Sequence, residues 1–391
     1  MSNRHPHRVM VAVGAIGPFG RFTDRSLVDL SRSVIADAIA AAGIERRQIA
    51  AAFVGNAFGG SMTDQESILA QTLLAPAGIA GIPMRTIKNA CSSGADAVHL
   101  GWSAIAYGQY DCVLVLGAEK LTHDDKLKAF KALATATDHA PLADGRSVFV
   151  DINAGRAKRY MDTYGAEPRH FAKVAAKNRA HAGLNDRAAE RRPMTVEDVL
   201  ADRLVLAPLT RAMCGGIADG AACVILVSDG FAARHGIGGT SEIVASSVVS
   251  GIPGGSEDGN ASHRAAKGAY ESSGIDARDV AVAEVHDPTS PQELFDIEDM
   301  MFCGRGEAIR LLEDGATTLG GRIPVNTSGG LTSRGHPVGA TGVAQIVEIH
   351  EQLIGRAGAR QVAGARIGLA QMAGGLLGND SAIASVHLLS V

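Results

Sequence analysis

The sequence predicts an α/β protein with a duplicated, layered α/β/α core and an inserted helical segment. Short β-branched apolar runs alternate with alanine-rich helical stretches, a pattern typical of buried, largely parallel strands covered by helices. The same order of elements occurs twice in the 391 residues. Similar motifs, NACSSG at 89–94 and NTSGG at 326–330, stand at matching places in the two series, which favours an internal duplication.

The first series starts with the apolar run 9–15, which reads VMVAVGA. Runs of this kind favour buried strands, whereas longer alanine-rich stretches favour helices. The predicted strands of this series are 9–15, 51–55, 85–89, 112–117 and 221–227, and its predicted helices are 27–42, 65–74 and 95–107.

The second series repeats this order from residue 243 onward. Its predicted strands are 243–249, 280–285, 323–326, 366–370 and 382–389, and its predicted helices are 261–272, 292–301 and 338–353. We therefore expect a first core domain made of residues 1–121 and 211–240, and a second core domain made of residues 241–391.

A charged, helical segment at 122–210 interrupts the first series between two strands. Its part from Arg156 to Arg192 carries ten basic and four acidic residues, a net charge of +6. An insertion at the carboxyl end of a strand lies where open α/β sheets bind ligands, so this segment could be a basic lid over an anionic substrate. The alternative is a solvated helical face.

Composition excludes several classes of protein. The chain is 46 % apolar and 20 % charged, as in soluble globular proteins, and its net charge of −4 is too near neutrality to indicate nucleic-acid binding. The longest uncharged stretch, 67–84, contains prolines and glycines, and residues 1–13 lack a leader pattern, so we expect no membrane span and a cytoplasmic location. The five cysteines show neither zinc nor disulfide spacing, which predicts reduced thiols and no metal.

Cys91 is the first candidate for chemistry, because it follows a predicted strand and opens a predicted helix. The helix dipole and the free N–H groups at that end should lower the thiol pKa, and the same N–H groups can stabilise an oxyanion. A buried, inert thiol is the alternative.

Two histidines follow predicted strand ends of the second series. His336 lies in GHPVGATG just before a predicted helix, and His286 lies in EVHDP. Each could be a structural histidine, but loops at the same end of the strands would bring both to one rim with Cys91, which makes a Cys/His/His site credible. Gly374 and Gly375, after the strand predicted to end at Ala370, offer backbone N–H groups to a ligand or form a simple turn.

Together these motifs resemble the thiolase superfamily, and within it the sterol-carrier-protein-type thiolases. The resemblance rests on NACSSGA at 89–95, ADGAA at 218–222, His286-Asp287, NTSGG at 326–330 and GHPVGATG at 335–342. It implies a thiolase-like core of two related domains. The inserted segment would then be a loop domain that contacts the phosphates of coenzyme A, with Arg156 to Arg192 as the suspected contact.

The resemblance also implies roles for individual residues. Cys91 would be the acylated nucleophile, His336 its activator, and His286 part of the oxyanion site for the thioester carbonyl of the second substrate. The N–H groups of Cys91 and Gly374 would form the other oxyanion site. Acyl-CoA and CoA would be substrates rather than bound cofactors, and the chain would form a homodimer or tetramer, with a small zinc-bearing OB-fold protein as a further partner.

The sequence departs from the family where thiolases carry a second, acid/base cysteine. The C-terminal Cys-x-Gly position reads Met372-Ala373-Gly374, and the His-Asp-Cys-Phe position has Pro288. Cys303 is a possible substitute, although a packing role suits it better. A positioned acid or base contributes about 10²- to 10⁴-fold, so His286, His336 or a water must take over.

We therefore expect thiolytic cleavage, or the reverse condensation, of a 3-oxoacyl-CoA through an acyl-cysteine, on a bulky, branched or aromatic substrate such as benzoylsuccinyl-CoA. Two alternatives remain open. One is acyl transfer to a carbon acceptor that is already nucleophilic, which needs no second acid/base group. The other is a non-catalytic scaffold that binds acyl-CoA.

Overall fold

The protein is organised around one mixed sheet of nine strands. The computed structural model describes residues 6–138, 147–255 and 259–391. The strands are β1 (Val9–Ile16), β2 (Ala51–Gly55), β3 (Met84–Ile87), β4 (Cys112–Glu119), β5 (Leu204–Leu206), β6 (Leu209–Thr210), β7 (Gly220–Ser228), β8 (Ser241–Ser250), β9 (Val282–Glu284), β10 (Ile367–Gly374) and β11 (Ile383–Ser390).

Helices cover both faces of this sheet. They are α1 (Leu27–Ala42), α2 (Gly59–Thr63), α3 (Leu69–Leu74), α4 (Ser93–Ala106), α5 (Lys126–Ala134), α6 (Val148–Tyr164), α7 (Pro168–Gly183), α8 (Val196–Ala201), α9 (Asp229–His235), α10 (Ala261–Ser273), α11 (Ser290–Asp299), α12 (Ala308–Glu313) and α13 (Val338–Leu353). In the described part of the chain, no helix has both the length and the apolarity needed to cross a membrane. Residues 1–5 belong to the N-terminal stretch in which we expect no leader, and they lie outside the described residues.

The sheet consists of two half-sheets joined by a short contact. The first has the order β3-β2-β4-β7-β1 and the second β8-β11-β10-β9, and they meet where Met10 and Val11 of β1 pair with Glu242 and Ser241 of β8. The prediction of largely parallel strands is wrong. Only the β3–β2, β2–β4 and β10–β9 pairs are parallel, while the other five are antiparallel.

Strand order confirms the predicted duplication. Reading outward from the junction, β1, β7, β4 and β2 of the first half-sheet match β8, β11, β10 and β9 of the second. The predicted strand 323–326 is wrong as a strand, because only Val325 pairs with Ala283 of β9. That single bridge stands where β3 stands in the first half-sheet, so the edge strand is reduced rather than lost.

Two helices lie between the half-sheets and contact both. Helix α4 packs against α13, and α13 contacts β4, β7 and β1 of one half-sheet and β10 and β9 of the other. Close approach requires glycine here, because a Cβ on Gly342 would lie 2.4 Å from the backbone nitrogen of Ala95, and one on Gly94 would lie 2.5 Å from the carbonyl oxygen of Gly339. On the outer faces, α1 covers the first half-sheet and α10 covers the second.

The segment inserted after β4 is mostly helical, as predicted, and it adds the β5–β6 hairpin. Its helix α7 packs against α11 and α12 in the core beside the second half-sheet. Of the ten basic residues from Arg156 to Arg192, at least five form ion pairs with carboxylates. These pairs are Arg169–Glu197, Lys173–Glu313, Lys177–Glu293, Arg179–Glu190 and Arg187–Glu351. The domain boundaries at 121, 210 and 240 remain predictions.

Candidate active site

Cys91, His286 and His336 meet at one point of the fold. The Cys91 Sγ and one ring nitrogen of each histidine all lie within 4.8 Å of one another. The two imidazole rings approach edge to face, with 5.6 Å between their centroids and 69° between their planes. The residues border a cavity of about 210 Å³. The structure therefore brings the three predicted residues together.

The duplicated fold explains how two of these residues meet. Helix α4 begins at Ser93 and α13 begins at Val338, so Cys91 and His336 each lie two residues before the first helical residue. Because α4 and α13 pack side by side between the half-sheets, their preceding loops face each other. His286 reaches the same point from the loop after β9.

His336 is oriented by a neighbouring hydroxyl group. Its Nδ1 lies 2.9 Å from the Thr341 Oγ1, and that hydroxyl donates its only hydrogen to the carbonyl oxygen of Pro337, at 3.0 Å. We therefore assign the ring proton to Nδ1, which leaves a lone pair on Nε2. This Nε2 is buried and has no hydrogen-bond partner in the described residues, so it is free to accept a proton.

Hydrogen bonds of His286 and Asp287 fix two segments that border the site. The backbone N–H of His286 donates to the Gln371 Oε1 at 2.8 Å, which fixes the end of β9 against β10. The buried Asp287 carboxylate accepts from the Leu331 N–H at 2.6 Å and from the Thr332 hydroxyl at 3.0 Å. These bonds hold the π-helical turn Gly330–Arg334, which leads into His336. Such turns are frequent at functional sites.

Burial keeps Cys91, His286 and His336 uncharged. Desolvation raises the pKa of Cys91 to about 12, the negative charge of Glu119 adding to it, and lowers the pKa of His286 to about 3, with a contribution from Arg156. The pKa of His336 is also far below its ordinary value, first because of burial. The predicted lowering of the Cys91 pKa by the helix dipole is thus wrong for this structure. The site holds a neutral thiol beside neutral imidazoles.

Glu119 is a buried carboxylate that sequence analysis did not single out. It accepts from the N–H groups of Ala57 at 2.9 Å, Phe58 at 3.2 Å and Gly339 at 3.0 Å. Burial nevertheless raises its pKa to about 7, although these donors oppose the shift. Glu119 thus ties the end of β4 to Gly339, the second residue of α13. No local motif identifies it, since its partners come from distant segments.

Gly374 is the predicted backbone N–H donor of the site. In the structure, the N–H group that faces the Cys91 sulfur belongs to the next residue, Gly375. Strand β10 continues to Gly374, instead of ending at Ala370 as predicted, and a Cβ on Gly374 would lie 2.3 Å from the Asn89 carbonyl oxygen. Gly375 follows the strand, borders the cavity and points its N–H at Cys91. Gly374 thus allows the close approach of the backbones, and Gly375 presents the N–H group.

The other cysteines lie in different surroundings. Cys112 and Cys223 are buried in the core of the first half-sheet, as predicted. Cys303 packs against the core beside the second half-sheet and does not border the cavity. Cys214 does border it, and its neighbour Gly215 donates its N–H to the Pro288 carbonyl oxygen at 2.9 Å. Sequence analysis gave no role to Cys214.

Most of the cavity wall is apolar. Side chains of α5 and α6 form part of the cavity wall together with the residues around Cys91. Pro288 also belongs to this wall, whereas Met372 lies buried in β10. Large apolar residues of the wall include Phe58, Leu121, Phe130, Phe149, Ile217 and Val338. A thiol, a free imidazole nitrogen and a directed N–H group at one end of an apolar cavity suit acyl transfer to and from sulfur.

The same three side chains are also a donor set that zinc accepts. A cysteine sulfur and two imidazole nitrogens within 4.8 Å of one another could share a metal ion. The donors fit, but they leave the fourth position of a tetrahedral site without a protein ligand in the described residues. The metal-free site predicted from cysteine spacing remains a prediction.

Comparison with known proteins agrees with the fold. The family models for "Thiolase, N-terminal domain" and "Thiolase C-terminal domain-like" match residues 9–198 and 258–385. An "Acetyl-CoA acetyltransferase" of Methanothermobacter thermautotrophicus is 37 % identical over 95 % of this chain and 96 % of its own length. "Sterol carrier protein 2" of Bos taurus is 33 % identical over 94 % of this chain and 71 % of its own length.

Two further relatives widen the comparison. The "Benzoylsuccinyl-CoA thiolase subunit BbsB" of Thauera aromatica is 34 % identical over 83 % of each chain. The solved structure of the "Ltp2-ChsH2(DUF35) aldolase" matches all of this chain and 99 % of its own with a TM-score of 0.81; at 23 % identity it shows a shared fold alone. Both halves of the chain match thiolase domains, and the relatives cover nearly its whole length. The chain therefore belongs to the thiolase family and is an acyl-CoA acyltransferase.

Proposed function

We propose that this enzyme cleaves a 3-oxoacyl-CoA by thiolysis, through an acyl group held on Cys91. The observation that carries the proposal is the convergence of Cys91 with two imidazoles whose Nε2 atoms are buried and have no hydrogen-bond partner in the described residues. The reverse condensation uses the same groups. Because the resting sulfur is a neutral thiol, attack and proton removal are coupled.

The first half of the reaction forms the acyl-enzyme. His336 Nε2 takes the proton from Cys91 Sγ while the sulfur attacks the keto carbon of the substrate, and the N–H groups of Gly375 and Cys91 stabilise the alkoxide. The bond between the α-carbon and the keto carbon breaks as the alkoxide collapses. His286, with its proton on Nε2, stabilises the enolate oxygen of the leaving thioester. The α-carbon takes its proton from the imidazolium of His336, which returns to its starting state.

The second half releases the acyl group to coenzyme A. The thiol of CoA gives its proton to His336 Nε2 and attacks the thioester carbon on Cys91. The tetrahedral intermediate uses the same N–H groups, the bond to Cys91 Sγ breaks, and the sulfur recovers its proton from His336. In this scheme, histidine does the proton transfer for which thiolases have a second cysteine at the positions of Pro288 and Met372.

The substrate that we propose is bulky, branched or aromatic. The cavity next to Cys91 is lined by large apolar side chains, which favour such an acyl group. A stabilised leaving carbanion also lessens the need for the missing acid/base cysteine. The similarity to a benzoylsuccinyl-CoA thiolase subunit makes benzoylsuccinyl-CoA a specific candidate.

The assembly that we propose is a homodimer or tetramer, joined by a small zinc-bearing OB-fold protein. One relative is named as a subunit, which favours a second polypeptide. The basic residues from Arg156 to Arg192 are the proposed contacts for the phosphates of coenzyme A.

Intact-mass measurement tests this proposal. The purified chain and its Cys91→Ser variant are exposed to acyl-CoA and 3-oxoacyl-CoA thioesters, from acetyl to benzoyl and branched dicarboxylic. We expect one class to add an acyl mass that peptide mapping places on Cys91, none on the variant, and a turnover loss in the variant of at least 10³-fold with an unchanged circular-dichroism spectrum. Acylation elsewhere, or normal turnover of Cys91→Ser, would refute the mechanism.

The same experiment separates the alternatives. An acyl-enzyme that survives CoA but discharges onto an enolised diketone or an electron-rich ring would favour acyl transfer to a nucleophilic carbon, which needs no second acid/base group. A chain that binds acyl-CoA and is never acylated, even beside its partner, would be a scaffold. The close convergence of three catalytic side chains favours an enzyme over the scaffold.

A further inference from the structure

Arg156 brings a positive charge into the apolar cavity. It lies on α6 and is half-buried, and among the described residues that border the cavity it is the one with a formal charge. Its Nη1 lies 3.3 Å from the Gln292 Oε1. No carboxylate of the described residues forms an ion pair with it, whereas five other basic residues of the same segment are paired.

The acidic residues near Arg156 either have other partners or lie deeply buried. Asp299 is paired with Arg305 at 2.6 Å, and Glu298 accepts hydrogen bonds from Tyr160 and Gly306. Asp296 is fully buried, which raises its pKa well above the ordinary value, while the charge of Arg156 acts in the opposite direction. Arg156 thus acts on Asp296 and Asp299 through its charge, but it forms an ion pair with no carboxylate of the described residues. Because its side chain borders the cavity, it is placed to meet a further anion there.

The position of Arg156 indicates which part of a substrate it would meet. Its partner Gln292 is the third residue of α11, which begins four residues after His286. The field of Arg156 reaches His286, where it adds to the lowering of the ring pKa by burial. Arg156 thus lies on the His286 side of the cavity, which in the proposed reaction holds the fragment that leaves as a CoA thioester.

We propose that Arg156 binds a carboxylate on the α-branch of the 3-oxoacyl-CoA and so selects carboxymethyl-branched substrates. This inference rests on the proposed function and narrows its substrate class. Cleavage of such a substrate leaves succinyl-CoA on the His286 side, with its free carboxylate at Arg156. A guanidinium suits this task because it can donate two parallel hydrogen bonds to a carboxylate.

A phosphate of coenzyme A is the other anion within the proposed chemistry. The two sources differ in one measurable respect. A phosphate contact would strengthen the binding of every CoA thioester equally, whereas a carboxylate contact would favour only thioesters whose acyl part is charged.

Calorimetric binding to the full chain distinguishes them without turnover. In a Cys91→Ala background, which prevents acylation, succinyl-CoA is compared with its neutral isostere, the 4-amide succinamoyl-CoA. A hydrogen-bonded carboxylate is worth a factor of about 10 to 100 in Kd. We expect this preference before further substitution, its loss in Arg156→Met, and partial retention in Arg156→Lys. Lys267→Met, a loss of the same charge on the surface of α10, should preserve it.

Each other outcome overturns the proposal. Equal weakening of both thioesters by Arg156→Met would assign Arg156 to a phosphate, and no effect would leave it without a ligand role. Absence of any preference before Arg156 is changed would exclude a carboxylate subsite.

Turnover then separates this inference from the proposed function. The 3-phenyl-3-oxopropanoyl-CoA that carries a carboxymethyl group on its α-carbon is compared with the carbamoylmethyl analogue and with 3-oxoadipyl-CoA, whose carboxylate is at the chain end. We expect Arg156→Met to lower kcat/KM for the first substrate by about 10- to 100-fold and to spare the second. An equal loss with 3-oxoadipyl-CoA would place the carboxylate on the Cys91 side and overturn the assignment. Absence of all turnover, with the binding preference intact, would refute the proposed function alone.

Discussion

Opposing effects act on the pKa of Cys91, and burial determines the direction of the net shift. A position before a helix N-terminus favours the thiolate, and the N–H groups of Gly375 and Cys91 act in the same direction. Desolvation and the nearby Glu119 outweigh them and raise the pKa of Cys91 to about 12. In the proposed reaction, Cys91 therefore rests as a thiol and needs the lone pair on His336 Nε2 at the moment of attack.

This pKa makes a prediction for chemical labelling. Iodoacetamide reacts with thiolate, and the thiolate fraction of a group with a pKa near 12 grows about tenfold per pH unit below that value. We expect the alkylation rate of Cys91 in the free enzyme to rise throughout pH 6 to 10, measured by peptide mass mapping so that Cys214 and Cys303 are scored separately. A plateau above pH 7 would indicate a thiolate–imidazolium pair instead.

At the residue scale, sequence alone could identify groups that belong to compact motifs. Cys91, His286 and His336 each stand in such a motif, and the structure places all three at one point. Glu119 could not be identified, and Arg156 could be named only as one end of a basic segment, because what distinguishes them is their surroundings. Glu119 accepts four hydrogen bonds from two distant segments, and Arg156 bonds to Gln292 without an acidic partner in the described residues. The predicted sign of the Cys91 pKa shift failed for the same reason, since desolvation depends on tertiary packing.

At the scale of elements, the paired helices α4 and α13 control the geometry of the site. Their contact is so close that Gly342 and Gly94 touch the backbone of the opposite helix. Any change that separates the helices also separates the loops that carry Cys91 and His336.

Two glycine substitutions test this contact. Gly342→Ala would place a Cβ 2.4 Å from the Ala95 nitrogen, so we expect the free energy of unfolding to fall by about 3 kcal/mol. Gly155→Ala is the matched control inside α6, where the nearest heavy atom is 3.8 Å away. It should raise the free energy of unfolding by about 0.5–1 kcal/mol, because alanine suits a helix interior better than glycine. Urea denaturation measures both values, and similar values for the two variants would contradict the packing argument.

Elements with a strong local pattern were the easiest to predict. Helices 27–42 and 338–353 are predicted and observed with the same ends, because long amphipathic or apolar stretches fix them. The predicted strand 323–326 failed because pairing, rather than composition, makes a strand. Only Val325 pairs with Ala283, and its carbonyl oxygen accepts from the Lys177 Nζ of α7 at 3.0 Å.

For the whole molecule, the two ends of the sheet differ. At one end, Val325 and Lys177 cover β9. At the other end β3 is the last strand, and no strand of the described chain pairs with its outer edge. An open strand edge is a template for pairing with another chain.

We therefore expect the outer edge of β3 to pair with the same edge in a second copy of the chain. This pairing leaves neither edge open to a third copy. Light scattering coupled to size-exclusion chromatography should give twice the chain mass for the purified protein, without larger polymers formed through the sheet. A purely monomeric species at micromolar concentration would contradict this prediction, and a tetramer would require a second interface elsewhere.

The duplicated architecture could be predicted from the sequence, but strand direction could not. Both faces of every half-sheet are covered by helices, so strands such as β4 and β7 are apolar throughout, whichever direction they run. The repeated motifs revealed the symmetry because they recur at the same loops, next to α4 and α13.

That symmetry bears on the ancestry of the catalytic pair. Cys91 and His336 lie at the same position relative to their helices. An ancestor that consisted of a single half would have had one residue at this position, and duplication would have copied it into both halves. A pair of identical ancestral halves would have set two copies of one residue type against each other. Only after the two copies were fused into one chain could mutation change them independently. The proposed division of labour between nucleophile and base is then younger than the fold that supports it.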